Sequence, residues 1–150
     1  MSIRRAVEAH IKWSLDPHFV GSPYQVFESL RIADKPVPAI VVVAAAAQSA
    51  LENQPDPRGN YNVPVSVIVM TSIDGPETTP TKVDYHANIA HKVGRILNSP
   101  GPRGHSQQVS GLFVYNLLPG SIGEENDGRK MISVLNYDAV VCYGHTDLTI

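Results

Sequence analysis

The stretch YNVPVSVIVMTS, residues 61–72, puts Val63, Val65, Val67 and Val69 on one side and Pro64, Ser66, Ile68 and Met70 on the other. A period of two is the pitch of a pleated strand. Such a run offers no helical face, so the rest of the chain has to be arranged around a sheet. Pro64 has no N–H for a ladder, which predicts an edge or a bulge on that side of the strand. Just upstream, PAIVVVAAAAQSALENQPD (38–56) begins with nine consecutive apolar residues, Ala39–Ala47. A bilayer span needs roughly 20, and Lys35, Gln48, Ser49 and Glu52 flank this one. Pro36 and Pro38 bias their predecessors toward extended backbone, and Ile40, Val41, Val42 and Val43 are β-branched. Together these outweigh the helix preference of the alanines and predict a strand over Ala39–Ala46. Residues 39–72 then read as an antiparallel hairpin whose connection, QSALENQPDPRGN, is rich in turn residues.

Two segments carry helical periodicity. Ser2 is a candidate N-cap, and Ile3, Ala6, Val7, Ile11 and Leu15 fall on one face, with Arg4, Arg5, Glu8 and Lys12 on the outer one. This N-terminal stretch has neither the uninterrupted apolar core nor the cleavage site of a signal peptide, and the chain reads as a soluble internal protein. Pro17 ends the helix; Phe19, Tyr24 and Phe27 are expected to pack back on the core, with a short helical turn around Tyr24–Leu30. Asp84 is a candidate cap for the second helix, in which Tyr85, Ile89, Val93, Ile96 and Leu97 share a face up to about Asn98. SPGPRGHSQQVSG then has the composition of a flexible linker. Two strands close the chain, GLFVYNLL (111–118) and KMISVLNYDAVVCY (130–143), joined by the acidic, glycine-bearing loop PGSIGEENDG. The expected architecture is a single α+β domain over 1–150, with a mostly antiparallel sheet of about four strands, two helices on one face and the order α-β-β-α-β-β.

Composition narrows the chemistry. A net charge of −2 with both signs interspersed gives no electrostatic footprint for wrapping nucleic acid. Cys142 is the only cysteine, so no intrachain disulfide forms, and its apolar surroundings predict a small core residue. There is no GxxxxGK[ST], HExxH, GxSxG or CxxC pattern. His86 and His91 are five apart, off the spacing that places two metal ligands on one helical face. The reading is of no enzyme, no cofactor and no metal site. Glu124, Glu125 and Asp127 form the densest acidic cluster, either a solvated loop or a partner surface. Arg4, Arg5 and Lys12 are either a solvated helix face or a dock for an acidic neighbour. The last strand exceeds the mean of about 5–6 residues, and a long apolar strand at an edge invites pairing with another chain.

The helix RRAVEAHIKWSL, the strand PAIVVVAAAA, the alternating strand YNVPVSVIVMT, the helix YHANIAHKVGRILNS and the terminal pair GLFVYNLLPG and RKMISVLNYDAVVCYG resemble the tail terminators and related neck subunits of tailed bacteriophages. The resemblance covers nearly the whole chain and rests on pattern and spacing. It implies a virion protein of the tail or neck, assembled in the host cytoplasm, that forms a homo-oligomeric, hexameric ring on the tail tube. Such a ring ends tube polymerisation and joins the tail to the head connector or neck protein. Its lumen would pass DNA without specific binding, and Glu124, Glu125 and Asp127 are candidate lumen residues, since like charges repel. Residues 48–60 and 73–84 are candidate docking loops. No membrane is involved. Two alternatives stand beside this: another neck role, tail completion or head closure, and a small α+β ligand-binding or enzymatic domain. The latter predicts a pocket where His86, His91 and the acidic loop converge.

Overall fold

The computed structural model describes residues 2–28, 38–49, 59–72, 80–98, 102–126 and 129–144. Helix α1 (Ile3–Leu15) begins where the Ser2 side chain accepts the Arg5 amide, and a 3-10 turn, Asp16–His18, follows it at Pro17. Strands β1 (Gln25–Glu28), β2 (Ala39–Ala44), β3 (Gln48–Ser49) and β4 (Asn60–Ser72) come next. Helix α2 (Pro80–Asn98) precedes β5 (Gly104–His105), β6 (Leu112–Asn126) and β7 (Lys130–Tyr143). All the strands join one sheet of order β1-β2-β4-β7-β6-β5, with β3 on the flank of β4.

This corrects the expected sheet. It is a mixed half-barrel, not a four-strand antiparallel layer in α-β-β-α-β-β order. Gln25–Glu28, expected in a helical turn, is a strand paired in parallel with β2; four residues are too few to display a period. GHSQQVSG, expected as linker, contributes β5 to the edge of β6. Residues 119–126 of the expected acidic loop are strand instead: β6 runs on to Asn126, because Leu112–Asn126 finds a partner in β7 along nearly its whole length. Helix α2 begins at Pro80 instead of near Asp84. Proline suits the first helical position, where its missing N–H has no intrahelical partner to lose. Within the described residues, β2 stops at Ala44, short of Ala46.

The pleat divides the sheet as the valines require. Val63, Val65, Val67 and Val69 from β4 and Leu135, Tyr137, Ala139 and Val141 from β7 are buried on one face beneath both helices. Ala6, Val7, Ile11 and Leu15 of α1 and Val93 and Leu97 of α2 complete that core. A smaller cluster, Ala39, Val41, Ile68 and Met70, lies on the opposite face. Cys142 belongs to that opposite face and is only half-buried. Pro64 sits in a central strand, paired with Asp138 of β7, yet obeys the expectation in another way. The Ala45 amide donates to the Pro64 carbonyl at 2.7 Å, so the missing N–H faces the point where β2 has already ended.

Candidate functional site

Among the described residues, the longest stretch of strand paired on one side only is the far half of β6, in its hairpin with β7. Two register shifts, one between Val114 and Asn116 and one between Pro119 and Ile122, each insert an extra residue into β6. Such bulges bend a strand and turn its side chains over. After the second, Ile122 lies opposite Leu135 and Glu124 opposite Ser133, which puts both on the helix side of the sheet. Asn136 holds this bulge in place. Its side-chain oxygen accepts from Ser66 at 2.7 Å, and its amide donates to the Ser121 hydroxyl at 3.1 Å. From Leu118 to Asn126 every residue of β6 is exposed, Leu118 by 45% and Ile122 by 68%. β5 covers the outer edge of β6 only at Phe113 and Val114. Beyond them, among the described residues, the backbone from Tyr115 to Asn126 has a strand on one side alone.

Between this arm and α2 lies a cavity of about 580 Å³. Its floor is Met131, Ser133, Leu135 and Tyr137 of β7, its helix wall His86, Ala87, Ala90, His91 and Gly94, and its rim Glu124 and Glu125. His86 is buried at the centre of a polar chain crossing four segments. The Tyr24 hydroxyl is hydrogen-bonded to that of Thr71, which lies 2.6 Å from His86 Nδ1, while His86 Nε2 is 2.8 Å from Ser133 Oγ. A neutral imidazole carries one N–H, so the chain has a direction. With the proton on Nε2 the ring donates to Ser133 and accepts from Thr71; with it on Nδ1 the polarity reverses and Ser133 donates to the ring. Burial holds the His86 pKa below its ordinary value, opposed by the nearby Glu124 carboxylate. Burial likewise raises the Tyr24 phenol.

The basic residues singled out on α1 are spoken for in different degrees. Arg4 is half-buried and donates through Nε to the Ala44 carbonyl at 3.0 Å. Lys12 pairs with Asp16 at 2.7 Å. Arg5 is exposed. Glu8, read as part of the outer face, is buried and accepts the Ala44 amide at 2.9 Å. Arg4 and Glu8 therefore seize both backbone groups of one residue at the end of β2. Glu124 and Glu125 are exposed on the arm, and Asp127 lies outside the described residues, as do 50–58 and 73–79 of the candidate docking loops. His86 and His91 do meet Glu124 and Glu125 around one cavity. Sequence reasoning missed Tyr24, Thr71 and Ser133; the available signal was a polar residue on the inward face of two otherwise apolar strands, Thr71 and Ser133 falling in phase with the buried valines and leucines.

Among the described residues no helix is long and apolar enough to cross a membrane. No known family model matches this chain, and no curated protein matches it.

Proposed function

We propose that the chain is a structural assembly subunit that closes into a homo-oligomeric ring, in the manner of the phage tail terminators it resembles. The observation that carries this reading is the β6 edge from Tyr115 to Asn126. A long strand paired on one side, with Leu118 and Ile122 open to solvent, is a template for a strand or loop of a second copy. Around a ring each arm would meet its neighbour's body, a heterologous contact that closes when the rotation does. The tail tube below and the neck or connector above are the further partners of this reading. Glu124 and Glu125 at the arm's end are its lumen candidates, where negative charge would let DNA pass without sticking. Light scattering across a concentration series tests it, since association obeys mass action. Growth toward a species of about six chains supports it, and imaging of that species on tail tubes separates a terminator from other neck roles. A monomer both alone and on tubes overturns it.

A second reading has one specific observation behind it. His86, His91, Glu124 and Glu125 surround the cavity beneath the arm, the convergence that a small ligand-binding or enzymatic domain requires. Against chemistry there, both His86 nitrogens are already engaged by Thr71 and Ser133, so the ring reaches a ligand only through the Ser133 hydroxyl. Among the described residues no strand covers the outer edge of β6 from Tyr115 to Glu125, and the assembly reading stands first.

A further inference from the structure

A different cavity lies where the end of α1, the turn after it, the C-terminal half of α2 and the segment leading into β5 come together. It is an open cleft of about 740 Å³, within the range of roughly 300–1,000 Å³ typical of ligand sites. Trp13, His18, Lys92, Arg95, Arg103 and His105 line it, and among the described residues no Asp or Glu does. On a chain of net charge −2 this is a local reversal of sign. The nearby acid Asp16 is turned to Lys12.

The walls are built and their charges are not used up. His10 forms the floor: its Nε2–H donates to the Pro102 carbonyl at 2.7 Å, and Nδ1 accepts from the Ser106 hydroxyl at 2.9 Å. Ser106 Oγ in turn accepts the amides of Gln108 and Val109, so the segment carrying Arg103 and His105 is pinned to α1. Lys92 donates to the His18 carbonyl at 2.7 Å and stands 4.7 Å over the Phe19 ring, which ties α2 to the turn after α1. Among the described residues, neither Arg95 nor Arg103 makes a hydrogen bond or ion pair with another residue. Cations are drawn to helix C-termini by the dipole, which accounts for Arg95. It does not account for Arg103 and His105, which come from a separate segment, nor for an indole beside them. Two unpaired guanidinium forks match phosphoryl oxygens, to which they bond in bidentate fashion. An aromatic face beside such charges is the means by which proteins hold a nucleobase.

We infer that this cleft binds a nucleotide unit, its phosphoryl group held by Arg95 and Arg103 and its planar ring set against Trp13. The unit is either a free nucleotide or part of a single strand, since both present the same phosphate and ring. The inference does not depend on whether the chain forms a ring.

Trp13 is the only tryptophan, so its fluorescence reports this cleft alone. Thymidine monophosphate, a short single-stranded oligothymidylate, thymidine and inorganic phosphate are titrated separately by fluorescence and calorimetry. Saturable quenching by the monophosphate and the oligonucleotide is expected, with thymidine and phosphate each much weaker. Binding by both identifies the free unit as sufficient; binding by the oligonucleotide alone, weakening steeply with salt, identifies the strand. The exposed Arg103→Ala should weaken binding by about tenfold, Arg103→Lys by less, and Arg95→Ala with Arg103→Ala should remove it, while Arg129→Ala, outside the residues that line the cleft, leaves it unchanged. The inference is overturned if neither phosphorylated thymidine ligand binds at low salt, if inorganic phosphate binds as tightly as they do, or if the double arginine variant, still folded by circular dichroism, binds like the wild type.

Discussion

Glu8 is buried and committed to one backbone amide, with no ion pair among the described residues. Burial, helped by the charge of Glu28, raises its pKa, against the lowering effect of the Ala44 amide it accepts and of Arg4 and Arg5. A raised carboxylate opposes folding once it ionises: the penalty is absent below 4.5, the unfolded value, and grows as pH rises through the folded one. Glu8→Gln keeps an acceptor for the Ala44 amide and removes the charge, so urea unfolding at pH 7 should show it equal to or more stable than the wild type. Glu8→Leu leaves that amide unsatisfied and should cost about 1–3 kcal/mol; a neutral outcome would mean the bond contributes nothing. The buried histidines have the opposite sense. Desolvation lowers the pKa of both His10 and His86, so their contribution is complete above 6.5, the unfolded value, and is lost as pH falls below it. Proton NMR should find both rings titrating below 6.5, and stability falling toward pH 5 by at most about 1.4 kcal/mol per pH unit for each proton taken up. None of this was legible in the helical wheel. It groups Arg4 and Glu8 with the outer face, whereas Arg4 is half-buried and Glu8 buried against a strand end some 36–40 residues away.

The end of β7 shows how the elements are locked. Tyr143 donates its amide to the Gly59 carbonyl at 2.8 Å, and Gly144 donates to that of Gly111 at 3.0 Å. Both glycines lie just before a strand, β4 or β6, with positive φ, and a Cβ on Gly111 would stand 2.5 Å from the Gly144 carbonyl oxygen. Gly111→Ala therefore adds strain of about 1–3 kcal/mol and a clash with backbone that cannot step aside. Gly21, also at positive φ, faces open space, so Gly21→Ala should lose the strain term alone. Thermal melts of the two variants, Gly111→Ala well below Gly21→Ala, check this; equal melts would refute the close approach. Strong periods made the neighbouring elements readable. β7 occupies the very residues its alternation predicts, and β4 starts one residue earlier than expected. β1, β3 and β5, of four, two and two residues, are too short to show a period, and long-range pairing decides them. β6 was cut short in the sequence reading for a physical reason: its two bulges break the alternation, and Pro119, Gly120 and Gly123 look like a loop when the partner strand is unknown.

At the scale of the molecule, charge is what the sequence conceals best. Trp13, His18, Lys92, Arg95, Arg103 and His105 come from three separated segments, and a balanced total gives no warning that folding gathers them into one cleft. The arm is half legible by comparison. A long final strand was visible, but not that β6 would carry Leu118 and Ile122 out beside it with one edge unpaired. If that edge is where copies meet, a negative charge on it should act on association and leave folding alone, because both side chains are already in water. Leu118→Asp combined with Ile122→Asp should melt within about 4 °C of the wild type, as surface substitutions usually change stability by no more than about 0.5 kcal/mol each. In light scattering the wild type should gain mass with concentration while the variant stays at the 16.3 kDa of one chain. Burying two unpaired carboxylates in an interface costs far more than exposing them, so even a modest contact area at this edge would be abolished. A variant that assembles like the wild type would move the interface elsewhere, and one that no longer melts cooperatively would show that the arm holds the subunit together and does not join it to its neighbours.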